Sequence, residues 1–222
     1  MRLHLYLEAP DVVPFDYLPT LVGAFHRWAG HDPARHNGLS LYSLAWLHGG
    51  RAGRGGIRFA EGAHWHISAP DEGLIHALVS GIVRAPELGL GLRVADVRMQ
   101  RTPAFAPGEQ PFRVASPVFI KHEAEKGQPA DHLPPGHPLA DELLTTTLRH
   151  KLRQAGLDDT GAAVRFDPAF IATAKSKLFQ YKQVQCRAWV CPVLVSGTSE
   201  QIAFAWDVGV GHSTGIGCGA LV

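Results

Sequence analysis

Apolar and polar residues alternate in RLHLYLEA, with Leu3, Leu5 and Leu7 on one side and Arg2, His4 and Tyr6 on the other. That is the period of a half-buried strand. FDYLPTLVGAFHRWAG then places Leu18, Leu21, Val22, Phe25 and Trp28 at helical spacing, and LSLYSLAWL returns to alternation. After the glycine- and arginine-rich HGGRAGRGG comes HWHIS, a short strand whose Trp65 faces the core. DEGLIHALVSGIVR reads as a helix opened by acidic residues, which suit its N-terminal dipole. LRVADVRM closes this half as a strand. The order β-α-β-β-α-β is that of a ferredoxin-like unit.

A proline-rich bridge, TPAFAPGEQP, leads to a second half. There RVASPVFIK is a strand and PLADELLTTTLRHKLRQAG a long helix stopped by Gly156. VRFDP is a short-strand candidate, and YKQVQCRAWVCPVLVSG reads as one long alternating strand. SEQIAFAWDV is a short helix with serine at its cap, and CGALV completes a final strand. The expected fold class is α+β, two tandem ferredoxin-like (RRM-like) units, β-α-β-β-α-β twice. The expected domains are 1–102 and 112–222, with a linker at 103–111 and a glycine-rich loop at 209–219.

With 222 residues and 45% hydrophobic content the chain can bury a real core. A net charge of +1 excludes a global basic field, so any nucleic-acid surface must be local. RAGRGGIR supplies Arg51, Arg54 and Arg58, and AKSKLFQYKQVQCR supplies Lys175, Lys177, Lys182 and Arg187. LRHKLR, with Arg149 to Arg153, reads as the exposed face of an amphipathic helix. The 13 histidines are the main reservoir of chemistry. His64 and His66 share a strand face, and Cys186 and Cys191 have four residues between them, yet neither spacing is a standard zinc signature. No metal and no cofactor are expected, and the three cysteines read as reduced thiols. MRLHLYLEAP is too short and polar for a signal peptide, and no run of 18 apolar residues occurs. A cytoplasmic protein without membrane attachment is expected.

GVGHSTGIGCGALV carries glycines at Gly209, Gly211, Gly215, Gly217 and Gly219. A dinucleotide fingerprint needs a helix after the glycines, and too few residues follow Gly219 for one. A Walker loop needs Gly-Lys-Ser/Thr, which is missing. The loop falls between the last helix and the last strand of the second unit. Tandem ferredoxin-like units ending in Gly209-Val210-Gly211, five residues, then Gly217-Cys218-Gly219 resemble the repeat-cleaving nucleases of the RAMP superfamily. These are the CRISPR-associated endoribonucleases that process precursor CRISPR RNA. The preceding KSKLFQYKQVQCRAWVCPVLVSGTSEQIAFAWDVGVG is similar to that family's basic strand, short helix and loop. DPARHNGLSLYSLAWL resembles its stretch in which a histidine precedes the second strand.

The resemblance implies metal-independent cleavage of repeat RNA, in which a ribose 2′-OH attacks the adjacent phosphate and leaves 2′,3′-cyclic phosphate and 5′-OH ends. A histidine near neutral pKa suits the proton transfers. His36 is the first candidate, between the first helix and the second strand, and His26 and His48 are the others. A cationic or hydrogen-bonding group must stabilise the phosphorane oxygens. Family members pair the histidine with a tyrosine on the first helix and a nearby lysine. Here no lysine precedes Lys121 and that helix offers only Tyr17, so Tyr42 or an arginine such as Arg51 is the replacement candidate. The expected RNA contacts are Arg51, Arg54, Arg58, Lys175, Lys177, Lys182 and Arg187, with Gly209, Gly211, His212, Ser213, Gly217 and Gly219 of the loop. The expected partners are CRISPR repeat RNA and its mature product, with other subunits of an effector complex as further candidates. Two alternatives are a catalytically inactive RNA-binding subunit and a small-molecule protein whose glycine loop holds a nucleotide.

Overall fold

A computed structural model describes residues 1–30, 39–123, 130–181 and 183–222. The first unit contains β1 (Arg2–Glu8), α1 (Leu18–Ala29), β2 (Ser43–Leu44), a hairpin of β3 (Arg51–Gly53) and β4 (Gly56–Arg58), β5 (Ala63–Ser68), α2 (Glu72–Arg84), β6 (Glu87–Gly89) and β7 (Leu92–Gln100). Among the described residues its sheet runs β2-β5-β1-β7-β6. Strand β1 is central and antiparallel to both β5 and β7. Its alternation has the expected consequence. Leu3, Leu5 and Leu7 point into the core, opposite Ile67, Trp65 and Ala63 of β5, with Leu21, Phe25 and Trp28 of α1 in the same core. The other face of β1 presents Arg2, His4 and Tyr6. Asp71 caps α2 by accepting from the Gly73 N–H at 2.8 Å. The two helices touch at Gly81, where a side-chain carbon would run into the Trp28 backbone.

The second unit contains β8 (Gly108–Phe112), β9 (Lys121–His122), β10 (Asp131–His132), α3 (Ala140–Gln154), β11 (Ala163–Phe166), β12 (Lys175–Tyr181), β13 (Val184–Val190), β14 (Val193–Gly197) and α4 (Ser199–Val208). Its sheet runs β11-β14-β8, and the chain beyond β8 is bridged to the C-terminal residues by Val114 and Leu221. Both units thus have the ferredoxin-like strand arrangement, and the α+β expectation holds.

The structure departs from the sequence pattern at four places. YKQVQCRAWVCPVLVSG is two strands, because Pro192 has no N–H to continue a ladder. Strand β13 pairs with β12 in a separate ribbon, while β14 joins the sheet. RVASPVFIK is broken at Ser116 and Pro117 into isolated bridges at Val114 and Val118, and the paired strand is β8, which begins at Gly108 inside the proline-rich stretch. CGALV is a single bridge at Leu221. The cap of α4 is Thr198, whose hydroxyl accepts from the Gln201 N–H while the Gln201 side chain accepts from the Thr198 N–H.

The units meet through the open face of β1. Buried Arg2 donates to Ser68 Oγ at 2.6 Å and to Leu221 O at 2.7 Å, with its guanidinium 3.5 Å from the centroid of the Trp206 ring. Ser43 donates to Asp207 O, and Ser116 to Leu44 O.

Candidate functional site

The glycine loop is a wedge between the units. From Gly209 to Leu221 the chain is buried apart from His212 and Ile216, which are half-buried, and Ser213, which is exposed. Gly209 has φ +70°, and a side-chain carbon there would stand 2.6 Å from Gly219 O. Gly217 has φ +94° and lies against Leu18 and Trp46, whose indole N–H donates to Gly217 O at 2.7 Å. Gly211 abuts Phe119 O, and Gly219 abuts Val210 O. The close backbone approaches that these glycines permit are therefore to protein. Only His212 and Ser213 of the loop's expected contacts face outward.

Lys151 anchors this wedge. It lies on the apolar stripe of α3 with Leu144, Leu148 and Leu152, and is 1% exposed. Its ammonium donates to Val208 O at 2.9 Å, Gly209 O at 3.3 Å and Thr214 Oγ1 at 3.0 Å. Burial pulls its pKa down to about 7. The 149–153 stretch is thus no plain solvated face, and the signal was the spacing of 144, 148, 151 and 152, which puts Lys151 on the buried stripe.

His36 and Lys182 lie outside the described residues. The residues on either side of the 31–38 segment converge on the loop. His26, in the last turn of α1, meets Phe25 edge-on, and Phe25 stacks on Tyr42 with centroids 4.4 Å apart. Thr214 donates to Tyr42 O at 2.9 Å, and Gly215 abuts Ser40 and the Tyr42 hydroxyl. Tyr42 is 4% exposed. Tyr17 is buried at the opposite end of α1, next to the Leu47 N–H, and burial pushes its phenol well above the usual range. His48 is not part of this group. It pairs with His64 across the sheet edge on the face turned away from the helices, and its Nε2 donates to Ala115 O at 3.0 Å.

The cationic candidates form two separate surfaces. Arg51 and Arg58 are directly opposite in the β3–β4 hairpin and both exposed, beside a groove of about 1200 Å³ with Asp11 and Glu61 on its rim. Exposed Arg54 occupies the turn. On the β12–β13 ribbon Lys175 and Lys177 are exposed on the face that carries Phe179, while Arg187 pairs with Leu178 on the opposite face. Lys177, Phe179, Trp46 and Tyr17 line an interdomain cleft of about 530 Å³, with Phe179 edge-on to Trp46.

The open face of the N-terminal sheet carries a histidine group that sequence spacing had shown only as the pair His64 and His66. His4, opposite His66 in the β1–β5 register, joins them. Ring nitrogens of the three lie within 4.8 Å of one another. Burial, with the neighbouring cations, keeps the pKa of His64 low and that of His66 well below its ordinary value.

Two ferredoxin-like units closed by a buried glycine loop define a fold shared with solved Cas6-related and RAMP proteins. The family model described as CRISPR associated protein Cas6, C-terminal, matches residues 100–222, more than half of the chain, and the chain belongs to that family. Membership brings CRISPR RNA binding and processing at the level of the family. Among solved structures the chain is similar to the product of a Cas6-related gene from Pyrococcus furiosus, with 19% identity, a TM-score of 0.84, and coverage of 100% of this chain and 97% of that one. It is also similar to a CRISPR associated protein Cas6, at 20% identity and TM-score 0.82, covering 100% and 98%. A third likeness is to a RAMP protein binding different RNA substrates, at 16% identity and TM-score 0.83, again covering 100% and 98%. At such identities the likeness is one of fold. No curated protein sequence matches the chain. No helix among the described residues is long and apolar enough to cross a membrane.

Proposed function

We propose that the protein is a metal-independent endoribonuclease that cuts CRISPR repeat RNA by 2′-OH attack, with His36 as the proton-transfer group. The observation that carries this reading is the convergence at the glycine loop. On one side of the 31–38 segment His26 meets Phe25, and Phe25 stacks on Tyr42; on the other side Ser40 and Tyr42 themselves meet Thr214 and Gly215. Substrate RNA is held by the Arg51–Arg58 hairpin and by Lys175 and Lys177, with His212 and Ser213 as the loop's exposed contacts. Trp46 and Phe179 beside Lys177 offer ring faces and a cation, the combination that holds single-stranded bases and backbone. Structural neighbours include a RAMP protein binding different RNA substrates and a Cas6 product complex, which supports repeat RNA as the ligand. The finer chemistry follows from what the step requires. A neutral imidazole takes the 2′-OH proton or gives one to the leaving 5′-oxygen.

Labelled repeat RNA incubated with the protein in EDTA tests this. Expected is one cut per repeat, with a cyclic phosphate end, and no cut when the ribose at that position is 2′-deoxy. Tight binding of the repeat without cleavage would replace the nuclease by an RNA-binding subunit. Neither binding nor cleavage would remove repeat RNA as the ligand.

A further inference from the structure

We propose that His4, His64 and His66 form a binding site for a borderline divalent transition metal of the zinc class. The site lies on the open face of the N-terminal sheet, apart from the glycine loop and its flanking residues. His64 Nε2 donates to His4 Nδ1 at 3.1 Å, through a proton that a bound ion would replace. Zinc–nitrogen bonds of about 2.0–2.1 Å at the tetrahedral angle set neighbouring ligand nitrogens about 3.4 Å apart. This pair is therefore already at ligand spacing. The third imidazole, His66, has a nitrogen within 4.8 Å of both.

Three further features favour an ion there. His66 is 2% exposed, and its Nε2 has no hydrogen-bond partner among the described residues. A buried polar atom of that kind costs free energy until something satisfies it. Gln100 Oε1 lies 2.8 Å from His4 Nε2, so that nitrogen donates and Nδ1 keeps its lone pair turned toward His64. Outer partners of this kind orient metal-binding histidines. Access is open as well, because His4 and His64 are half-buried and His64 borders a groove of about 650 Å³.

The donor set selects the ion. Three imidazoles and no carboxylate suit zinc, nickel, copper or cobalt and exclude magnesium or calcium. His48 stands nearby, with its ring centroid 6.4 Å from those of His64 and His66, but it lies outside the group whose ligand nitrogens are within 4.8 Å of one another. Because His4 belongs to β1 and the others to β5, the ion would pin two central strands beside the domain interface, a structural role independent of cleavage.

The test uses the full chain without a polyhistidine tag, stripped with EDTA and dialysed. Zinc chloride is titrated by calorimetry, and cobalt chloride by visible absorption. Expected are one zinc per chain, the absorption bands of nitrogen-ligated cobalt, and a higher Tm with zinc. His4→Gln and His64→Gln, both half-buried positions, should each weaken zinc by at least about tenfold, and Gln100→Ala by about 10–100-fold. Zinc binding unchanged in a folded His4→Gln/His64→Gln double variant would overturn the site. So would a wild-type protein that gives no cobalt bands and no Tm shift. Cleavage in EDTA should proceed whichever result is found, so this test and that of the nuclease are separate.

Discussion

On helix α3, Lys151 carries an amino group where solvent does not reach. Its three acceptors take one ammonium proton each, while burial favours the neutral form and brings the pKa from 10.5 to about 7. Between those values the unfolded chain binds more protons than the folded one, so stability should rise with pH from about 7 toward 10.5 and be flat in this respect below 7. Urea midpoints at pH 7 and pH 9.5 check this. The rise should be smaller in Lys151→Met, and an equal rise in both proteins would assign it to other groups. His26 is on α1, against one face of the first sheet, and His48 is on the opposite face. On the proposed reading, His36→Ala should keep repeat-RNA binding and lose cleavage by about 10²–10⁴-fold under single-turnover conditions. His48→Ala should cut at close to the wild-type rate. A dead His48→Ala beside an active His36→Ala would move the chemistry to the open face of the sheet.

Among the elements, the β3–β4 hairpin holds two arginines directly opposite each other, at Arg51 and Arg58. Like charges so placed repel and favour a bound anion between them. Replacing both with alanine should lower affinity for repeat RNA and flatten its log–log salt dependence by about 0.7–0.9 for each lost phosphate contact. The urea midpoint should stay unchanged or rise slightly, since a repulsion has been removed. An unchanged salt slope would leave the hairpin as solvated surface. The β12–β13 ribbon divides its cations between two faces, so Lys175 and Lys177 can act together on one RNA strand while Arg187 points elsewhere. The glycine loop belongs to a different class of element. Because Gly217 combines positive φ with contact to Leu18, a Gly217→Val change strains the fold before it touches any ligand.

At the scale of the whole molecule, Arg2 fastens the two units. Its donors reach Ser68 in the first unit and Leu221 in the second, and its guanidinium covers Trp206. Burial lowers its pKa to about 9, with Asp207 opposing the fall. Arg2→Met should cost about 1–3 kcal/mol, because it leaves buried acceptors unpaired. A urea midpoint equal to wild type would show that the remaining interface bonds suffice. Much of this architecture is legible in the chain alone. The alternation at Leu3, Leu5 and Leu7, the helical spacing from Leu18 to Trp28 and the end of α3 before Gly156 are local patterns, set by side-chain period and backbone preference. They fix which face each of these elements buries. The glycine spacing at 209–219 carries the resemblance to the family that the match over 100–222 bears out. What those glycines touch was decided only in three dimensions, since their neighbours Phe119, Leu18 and Trp46 are distant in sequence. The same holds for the histidine group. Alternation puts His4 on the polar side of β1 and His64 and His66 on one side of β5. Only the antiparallel register, which sets His4 opposite His66, brings three imidazoles together, because cross-strand pairing is non-local while side-chain alternation is not.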